Sequence, residues 1–377
     1  MYNNYMRKIK VLTVFGTRPE AIKMAPLVLE LEKNKDIFES TVCITAQHRE
    51  MLDQVLHLFN IIPDYDLNIM KPNQNLWSLT SDVIMKMKDV YEEVKPDIVL
   101  VHGDTTTSMA AALSAYYAKI KVGHVEAGLR TFNKYYPFPE EINRIFVDAL
   151  CEYHFAPTDE SVDNLIKSSI SDKHIYKTGN TVIDALLYTV NNNLSDLSFL
   201  NLDQNLKTIL LTSHRRENFG KPLENICSAI LRLVEKNKDI QVVYPVHLNP
   251  NVRKTVYSKL EGKDRIKLIE PLDYAPFASL MKQSYLILTD SGGVQEEAPS
   301  LGKPVFVLRD TTERPEAVKY GTVKLVGTDE EKIVKEVQIL LEDQTEYKRM
   351  SESINPYGDG LSSKRIVDIL RSVDVDI

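Results

Sequence analysis

The sequence predicts an α/β protein made of two doubly wound, parallel-sheet domains, and three observations carry that prediction. Short β-rich apolar runs alternate with helix-length segments throughout, the pattern of right-handed βαβ units. Runs such as "DIVLVHGD" and "YLILTDSGG" are apolar on both alternating positions, as expected of parallel strands covered on both faces. A chain of 377 residues is also too long for one small core, and the strand-like runs fall in two equal series around one polar stretch, Asn191 to Lys207.

The first series is Lys10–Phe15, Ser40–Thr45, Ile98–His102, Lys121–Glu126, Tyr153–Ala156 and Ile175–Thr178. The second is Thr208–Ser213, Gln241–Pro245, Ile266–Ile269, Leu286–Thr289, Val305–Leu308 and Thr322–Val326. The stretch between them, "NNNLSDLSFLNLDQNLK", reads as the linker. Ligands of open α/β sheets sit beyond the carboxyl ends of strands, so a cleft between two facing sheets is the expected site. The polar residues that follow each strand are therefore the informative ones.

Composition narrows the partners. Hydrophobic content of 43% and charged content of 26% are those of a soluble globular protein. A net charge of −7 argues against nucleic acid or anionic membrane as the main partner, while leaving room for a local basic pocket. Cys43, Cys151 and Cys227 lie far apart among apolar residues, with no CxxC spacing, and read as buried free thiols of a reducing compartment. The N-terminal segment lacks a signal-peptide apolar region and no run approaches a membrane span, so a cytoplasmic location is expected. His102, His124, His154 and His174 are scattered, without metal-ligand spacing; no metal or cofactor is expected.

Taken strand by strand, the first informative turn is "VLTVFGTRPEAIK". It places Arg18 after a strand, with Pro19 suited to the first helical position and Lys23 about a turn further on. The pattern has neither GxGxxG nor a Walker lysine, so it reads either as a plain βα turn or as a basic site for a phosphate. Asp104 and Glu126 then end neighbouring strands. Two carboxylates at one sheet edge can be pushed apart in pKa to give an acid and a base. The structural alternative is that Asp104 caps the next helix and Glu126 pairs with Arg130. "YYPFPEEINR" sets Glu140 and Glu141 at a helix start, where acidic residues also complement the dipole.

In the second half, "TSHRRENFG" delivers His214 directly after a strand, beside Arg215 and Arg216. "YPVHLNPNV" places His247 similarly. "LTDSGGVQEEAPS" closes a strand with Ser291, Gly292 and Gly293, an arrangement suited to a diphosphate. Glu297 stands four residues after Gly293, one turn up the same helix face, where a carboxylate can hold ribose hydroxyls; Glu296 points elsewhere. The ligand implied is a nucleoside diphosphate. A capped helix with exposed glutamates is the other reading.

"FGTRPEAIKMAPL", "HGDTTTS", "GHVEAGLRT", "PEEINR", "TGNTVIDAL", "HRRENFG", "PVHLNPNV", "DSGGVQEEAPSLGKPV" and "RDTTERPEA", in this order, resemble the signatures of the non-hydrolysing UDP-N-acetylglucosamine 2-epimerases of bacteria. The resemblance runs from about Lys10 to "NPYGDG". It implies two Rossmann-like domains facing across a cleft, as in the GT-B glycosyltransferases. The N-terminal one would span 1–180 and the UDP-binding one 181–360, with the C-terminal helix, about 361–377, packing back on the first. It also implies a homodimer without metal or nicotinamide that inverts C2 of UDP-N-acetylglucosamine to give UDP-N-acetylmannosamine. By the same resemblance Asp104, Glu126, Glu140 and His214 form the acid/base set, unless His214 instead stabilises or protonates the leaving phosphate, and Arg18, Lys23 and Arg314 contact the nucleotide. Ser291, Gly292 and Gly293 cradle the diphosphate, Glu297 holds ribose, Phe277 walls the uracil, and Leu272 reaches the base through its backbone. Gln47, Arg215 and His247 correspond to a site for a second, activating substrate molecule, although Glu50 stands where relatives often carry glutamine.

Competing expectations are a hydrolysing 2-epimerase, a sister epimerase acting on a UDP-diacetamido-uronic acid, a GT-B glycosyltransferase, and a non-catalytic UDP-sugar sensor. The uronic-acid enzyme needs an extra cation that the sequence does not identify. A transferase needs an acceptor site and has no use for three carboxylates and a histidine round one sugar.

Overall fold

The computed structural model describes residues 7–46, 49–71, 74–312 and 314–373. The chain divides into two compact units, Met1–Ala185 with Tyr357–Ile377, and Leu186–Pro356.

The first unit holds a seven-stranded parallel sheet: β1 (Ile9–Phe15), β2 (Phe38–Ile44), β3 (Tyr65–Asp66), β4 (Ile98–His102), β5 (Lys121–Val125), β6 (Tyr153–Ala156) and β7 (Ile175–Lys177), in the order β3-β2-β1-β4-β5-β6-β7. β3 is an addition to the strands expected from the sequence. It is two residues long, pairs with Cys43 and Ile44 at the sheet edge, and is too short to leave a periodic signal. The helix Thr106–Tyr117 starts at Thr105, whose hydroxyl accepts from the Ser108 N–H (3.1 Å). Its Ala110, Ala111, Ala112 and Ala115 are buried among Leu12, Val14, Val99 and Val101; small side chains let the helix lie close to the sheet.

The second unit holds a six-stranded parallel sheet: β8 (Lys207–Thr212), β9 (Ile240–Pro245), β10 (Ile266–Ile269), β11 (Leu286–Thr289), β12 (Val305–Val307) and β13 (Val323–Leu325), ordered β10-β9-β8-β11-β12-β13. Leu211, Ile226, Ile230, Leu233, Tyr244, Leu288 and Val337 form its core. The twelve strands read from the sequence are all present, with ends shifted by at most two residues. In each unit the chain starts mid-sheet, builds to one edge and then crosses over. The switch points, where such sheets bind ligands, therefore lie between β1 and β4 and between β8 and β11.

The polar stretch Asn191 to Lys207 is not the junction. The division falls inside the helix Thr181–Asn192, between Ala185 and Leu186, and again between Pro356 and Tyr357. The stretch belongs to the second unit, where Lys267 Nζ donates to the carbonyls of Leu200 (2.6 Å) and Asn201 (2.5 Å) and ties it to edge strand β10. The helix Ser362–Leu370 lies against the helix Arg18–Lys33 of the first unit. Asp184 accepts from the backbone N–H of Ser363 (2.7 Å) and Ser362 (3.2 Å) at its start.

All three cysteines are free. Burial pushes the Cys43 and Cys227 thiols up to about 12, so neither is a nucleophile at neutral pH. Among the described residues no helix is long and apolar enough to cross a membrane.

Candidate active site

Several strand-end residues singled out from the sequence stand at these switch points or after the strands beside them. In the first unit the turn after β1 is Gly16 and Thr17, and Arg18 opens the helix Arg18–Lys33; Pro19 is its second residue, not its first. Gly16 is required by close approach, since a Cβ there would lie 2.0 Å from Thr45 Oγ1. Glu20, overlooked in the sequence, is the keystone of this turn. Its buried carboxylate accepts from the N–H of Gly16 (3.0 Å) and Thr17 (2.7 Å), and from the hydroxyls of Thr105 (2.5 Å) and Ser108 (3.0 Å). One side chain thus locks the loop after β1 to the loop after β4. The Thr-x-x-Glu spacing of a capping box was the signal that could have found it.

Asp104 follows β4. It does not cap the next helix, a task Thr105 performs; its carboxylate pairs with Arg144, and its carbonyl accepts from Asn143 Nδ2 (2.9 Å). Arg144 in turn lies 3.3 Å from the buried Glu141, which accepts from the N–H of Thr131 (3.0 Å) and Phe132 (2.8 Å) and so anchors the loop that carries Phe132, Tyr135, Tyr136 and Phe138. Glu140, the first residue of helix Glu140–Leu150, is half-buried and has no side-chain partner among the described residues. The paired glutamates therefore have separate duties, Glu141 structural and Glu140 available.

Glu126 follows β5 and sits at φ +66°, an uncommon state for a residue with a side chain, of a kind that clusters at functional sites. It does not pair with Arg130, which binds Asp148 Oδ2 (2.6 Å). It pairs with Lys23 and accepts from Asn180 Nδ2 (2.8 Å), with His102 Nε2 at 3.8 Å. Burial holds His102 down to about 3, against the pull of Glu126, so it is neutral at physiological pH. Arg18, Lys23, Asp104 and Glu126 therefore stand at the carboxyl ends of three sheet neighbours, β1, β4 and β5, with Lys23 and Glu126 in direct contact. Behind them the buried His124 joins Asp148 Oδ1 (2.5 Å) to the Gly103 carbonyl (2.7 Å).

In the second unit His214 and Arg215 follow β8, while Asp290, Ser291, Gly292 and Gly293 follow β11. The His214 ring stacks on His247 from the end of β9, with 5.4 Å between ring centres and 16° between planes. Burial lowers the His214 pKa; Asp290 opposes this, and His247 and Arg215 add to it. Arg215 Nη2 is 3.9 Å from where a Cβ on Gly292 would stand, so a guanidinium faces the Gly292–Gly293 turn.

The adjacent glutamates after this turn also divide. Glu296 is buried and pairs with Arg314, whereas Glu297 is half-buried and accepts from Tyr274 Oη at 3.3 Å. Tyr274 opens the helix Tyr274–Gln283 that carries the half-buried Phe277, with the half-buried Leu272 just before it. The structure thus brings the expected base-walling residue and the expected ribose carboxylate onto neighbouring elements. Gln47 lies outside the described residues. No cluster of metal-ligating side chains occurs among the described ones.

Comparison with known proteins shows the family of the chain. The family model described as UDP-N-acetylglucosamine 2-epimerase matches residues 29–371. UDP-N-acetylglucosamine 2-epimerase from Bacillus subtilis (strain 168) is 58% identical over 365 residues, covering 97% of this chain and 96% of the relative. The Escherichia coli K12 enzyme of the same name is 56% identical over 372 residues, covering 97% and 99%. The crystal structure of UDP-GlcNAc 2-epimerase from Neisseria meningitidis bound to UDP-GlcNAc has a TM-score of 0.85 at 55% identity, covering 96% of this chain and 99% of that one. The two doubly wound units are those of the GT-B-like class to which such epimerases belong. With this agreement along nearly its whole length, the chain that carries these strand-end loops belongs to the UDP-N-acetylglucosamine 2-epimerase family.

Proposed function

We propose that this chain interconverts UDP-N-acetylglucosamine and UDP-N-acetylmannosamine by the non-hydrolysing route. The observation that carries the reading is the placement of Asp104 and Glu126 at the ends of adjacent strands, each held by its own cation. Inverting C2 needs one group that removes a proton and another that returns one to the opposite face. The C2 proton is barely acidic, so its loss is coupled to departure of UDP. The C2–H electrons form the C1–C2 double bond as the C1–O bond breaks, giving 2-acetamidoglucal and UDP. In the return step a UDP oxygen attacks C1 and a proton reaches C2 from the other face. The UDP-GlcNAc bound to the Neisseria meningitidis epimerase supports the choice of sugar nucleotide.

Asp104, Glu126 and Glu140 are assigned the proton transfers at C2, and His214 the protonation or stabilisation of the departing phosphate. Ser291, Gly292 and Gly293 cradle the diphosphate with N–H donors. Glu297 binds ribose, Phe277 walls the uracil and Leu272 contacts it through its backbone. Arg18, Lys23 and Arg314 serve the nucleotide; Lys23 and Arg314 do so by sharing or leaving Glu126 and Glu296. Arg215 and His247, with Gln47, serve a second substrate molecule. The working form is a cytoplasmic homodimer without metal or nicotinamide, and its product supplies N-acetylmannosamine units for a surface polysaccharide.

Proton NMR of the protein with UDP-N-acetylglucosamine in D₂O tests the reading. UDP-N-acetylmannosamine with deuterium at C2 is expected. Free N-acetylmannosamine with UDP would make the enzyme a hydrolysing one, and an unlabelled substrate would remove the epimerase reading.

A further inference from the structure

β11 ends in a carboxylate to which the proposed reaction gives no role. Asp290 is fully buried, yet its two oxygens accept from Ser213 Oγ (2.9 Å), the N–H of His214 (2.9 and 3.1 Å), the N–H of Arg215 (2.9 Å) and Asn218 Nδ2 (2.9 Å). Four donors offset the cost of burying a charge, and all four come from the loop after β8. Asp290 itself directly precedes Ser291–Gly293. A single side chain therefore ties the two loops of this switch point together, as Glu20 does in the first unit.

Its Oδ1 also lies 3.3 Å from His214 Nδ1. The imidazole nitrogens lie on opposite sides of the ring, so Nε2 is turned away from the carboxylate. The His247 ring fixes the plane by stacking. Among the described residues, Asp290 from the end of β11, His247 from the end of β9 and Arg215 from the same loop are the charged or titratable groups facing His214.

We propose that Asp290 is the positioning residue for His214, holding it in the tautomer protonated at Nδ1 so that Nε2 is the nitrogen that exchanges a proton with the substrate. The inference rests on the role proposed for His214, and it assigns both the residue that orients the ring and the atom that acts. A carboxylate beside Nδ1 stabilises a proton there and an imidazolium when it forms.

Long-range ¹H–¹⁵N correlation spectra of protein labelled with ¹⁵N-histidine, recorded without ligand above neutral pH, read the tautomer, and loss of one signal set in His214→Asn identifies it. The Nδ1–H form is expected. The Nε2–H form would overturn the proposal whether or not the protein epimerises anything, whereas Nδ1–H without epimerisation would leave it standing and strike the reaction instead. In Asp290→Asn the population shifts toward Nε2–H, the His214 pKa falls further, and C2 exchange drops roughly 10- to 100-fold with KM little changed. Unchanged tautomer and exchange in a folded Asp290→Asn protein would refute it. If that variant does not fold, the wild-type spectrum still decides.

Discussion

Apart from the additional edge strand β7, the two sheets share one strand order, and they carry opposite chemistry at their ends. Beyond β1, β4 and β5 the first unit presents carboxylates, Asp104 and Glu126, each against a cation. Beyond β8, β9 and β11 the second presents imidazoles, a guanidinium and a glycine turn, with its central carboxylate, Asp290, buried behind them. Each switch point is held by one buried acid, Glu20 in the first and Asp290 in the second. The topology decides where side chains converge, and the residues one or two positions past each strand decide what they can do there. On the proposed reading, the same scaffold within one protein thus serves proton transfer at C2 in one unit and anion binding in the other.

The comparison breaks most directly at Asp104. Asp104→Asn is expected to lower C2 deuterium exchange by about 10²- to 10⁴-fold, while calorimetric UDP binding persists. Near-normal exchange would leave Asp104 as no more than an anchor for Arg144. The buried acids should behave in the opposite way. Glu20→Ala or Glu141→Ala strands backbone N–H donors and should cost about 3 kcal/mol of stability by thermal unfolding, whereas Asp104→Asn should barely move the midpoint. A large loss of stability in Asp104→Asn would erase the distinction between working and structural carboxylates.

Acidification probes the first sheet. His102 is held near 3 in the folded protein against an ordinary 6.5. Below about pH 6.5 the unfolded chain takes up a proton that the folded chain refuses, so stability falls with pH by up to about 1.4 kcal/mol per unit. His102→Gln should flatten that slope in urea titrations between pH 4 and 6.5. The smallest effect belongs to the second sheet. Glu297→Ala should weaken UDP binding about tenfold, near 1.4 kcal/mol, and unchanged affinity would remove its ribose role.

What was legible in the sequence was whatever interrupts an apolar run. Asp104, Glu126 and His214 stand out because each follows a stretch of buried aliphatic residues, and the same stretches located twelve strands. Partners were not legible, because they are distant in sequence. Lys23 meets Glu126 across 103 positions, and Glu20 meets Thr105 across 85. A glutamate in a first helical turn looks like a dipole complement, so Glu141 gave no sign of being buried, and Glu20 gave only its capping-box spacing. Polarity also misled at Asn191 to Lys207, where Lys267 binds the carbonyls of Leu200 and Asn201 and draws the stretch onto the second sheet. The left-handed backbone of Glu126 has no counterpart in residue type, since glycine is what that conformation normally announces.

The path of the chain bears on how the protein is made. Residues 186–356 are contiguous and emerge from the ribosome as one complete folding unit, with both edges of their sheet in hand. The first unit begins earlier but ends later. Its helix Ser362–Leu370, fastened at Asp184, is synthesised only after residues 186–356. During translation the leading sheet therefore waits, with the helix Arg18–Lys33 lacking its neighbour, while the unit that follows it is finished. Loss of the helix Ser362–Leu370 would fall on the unit that was begun first.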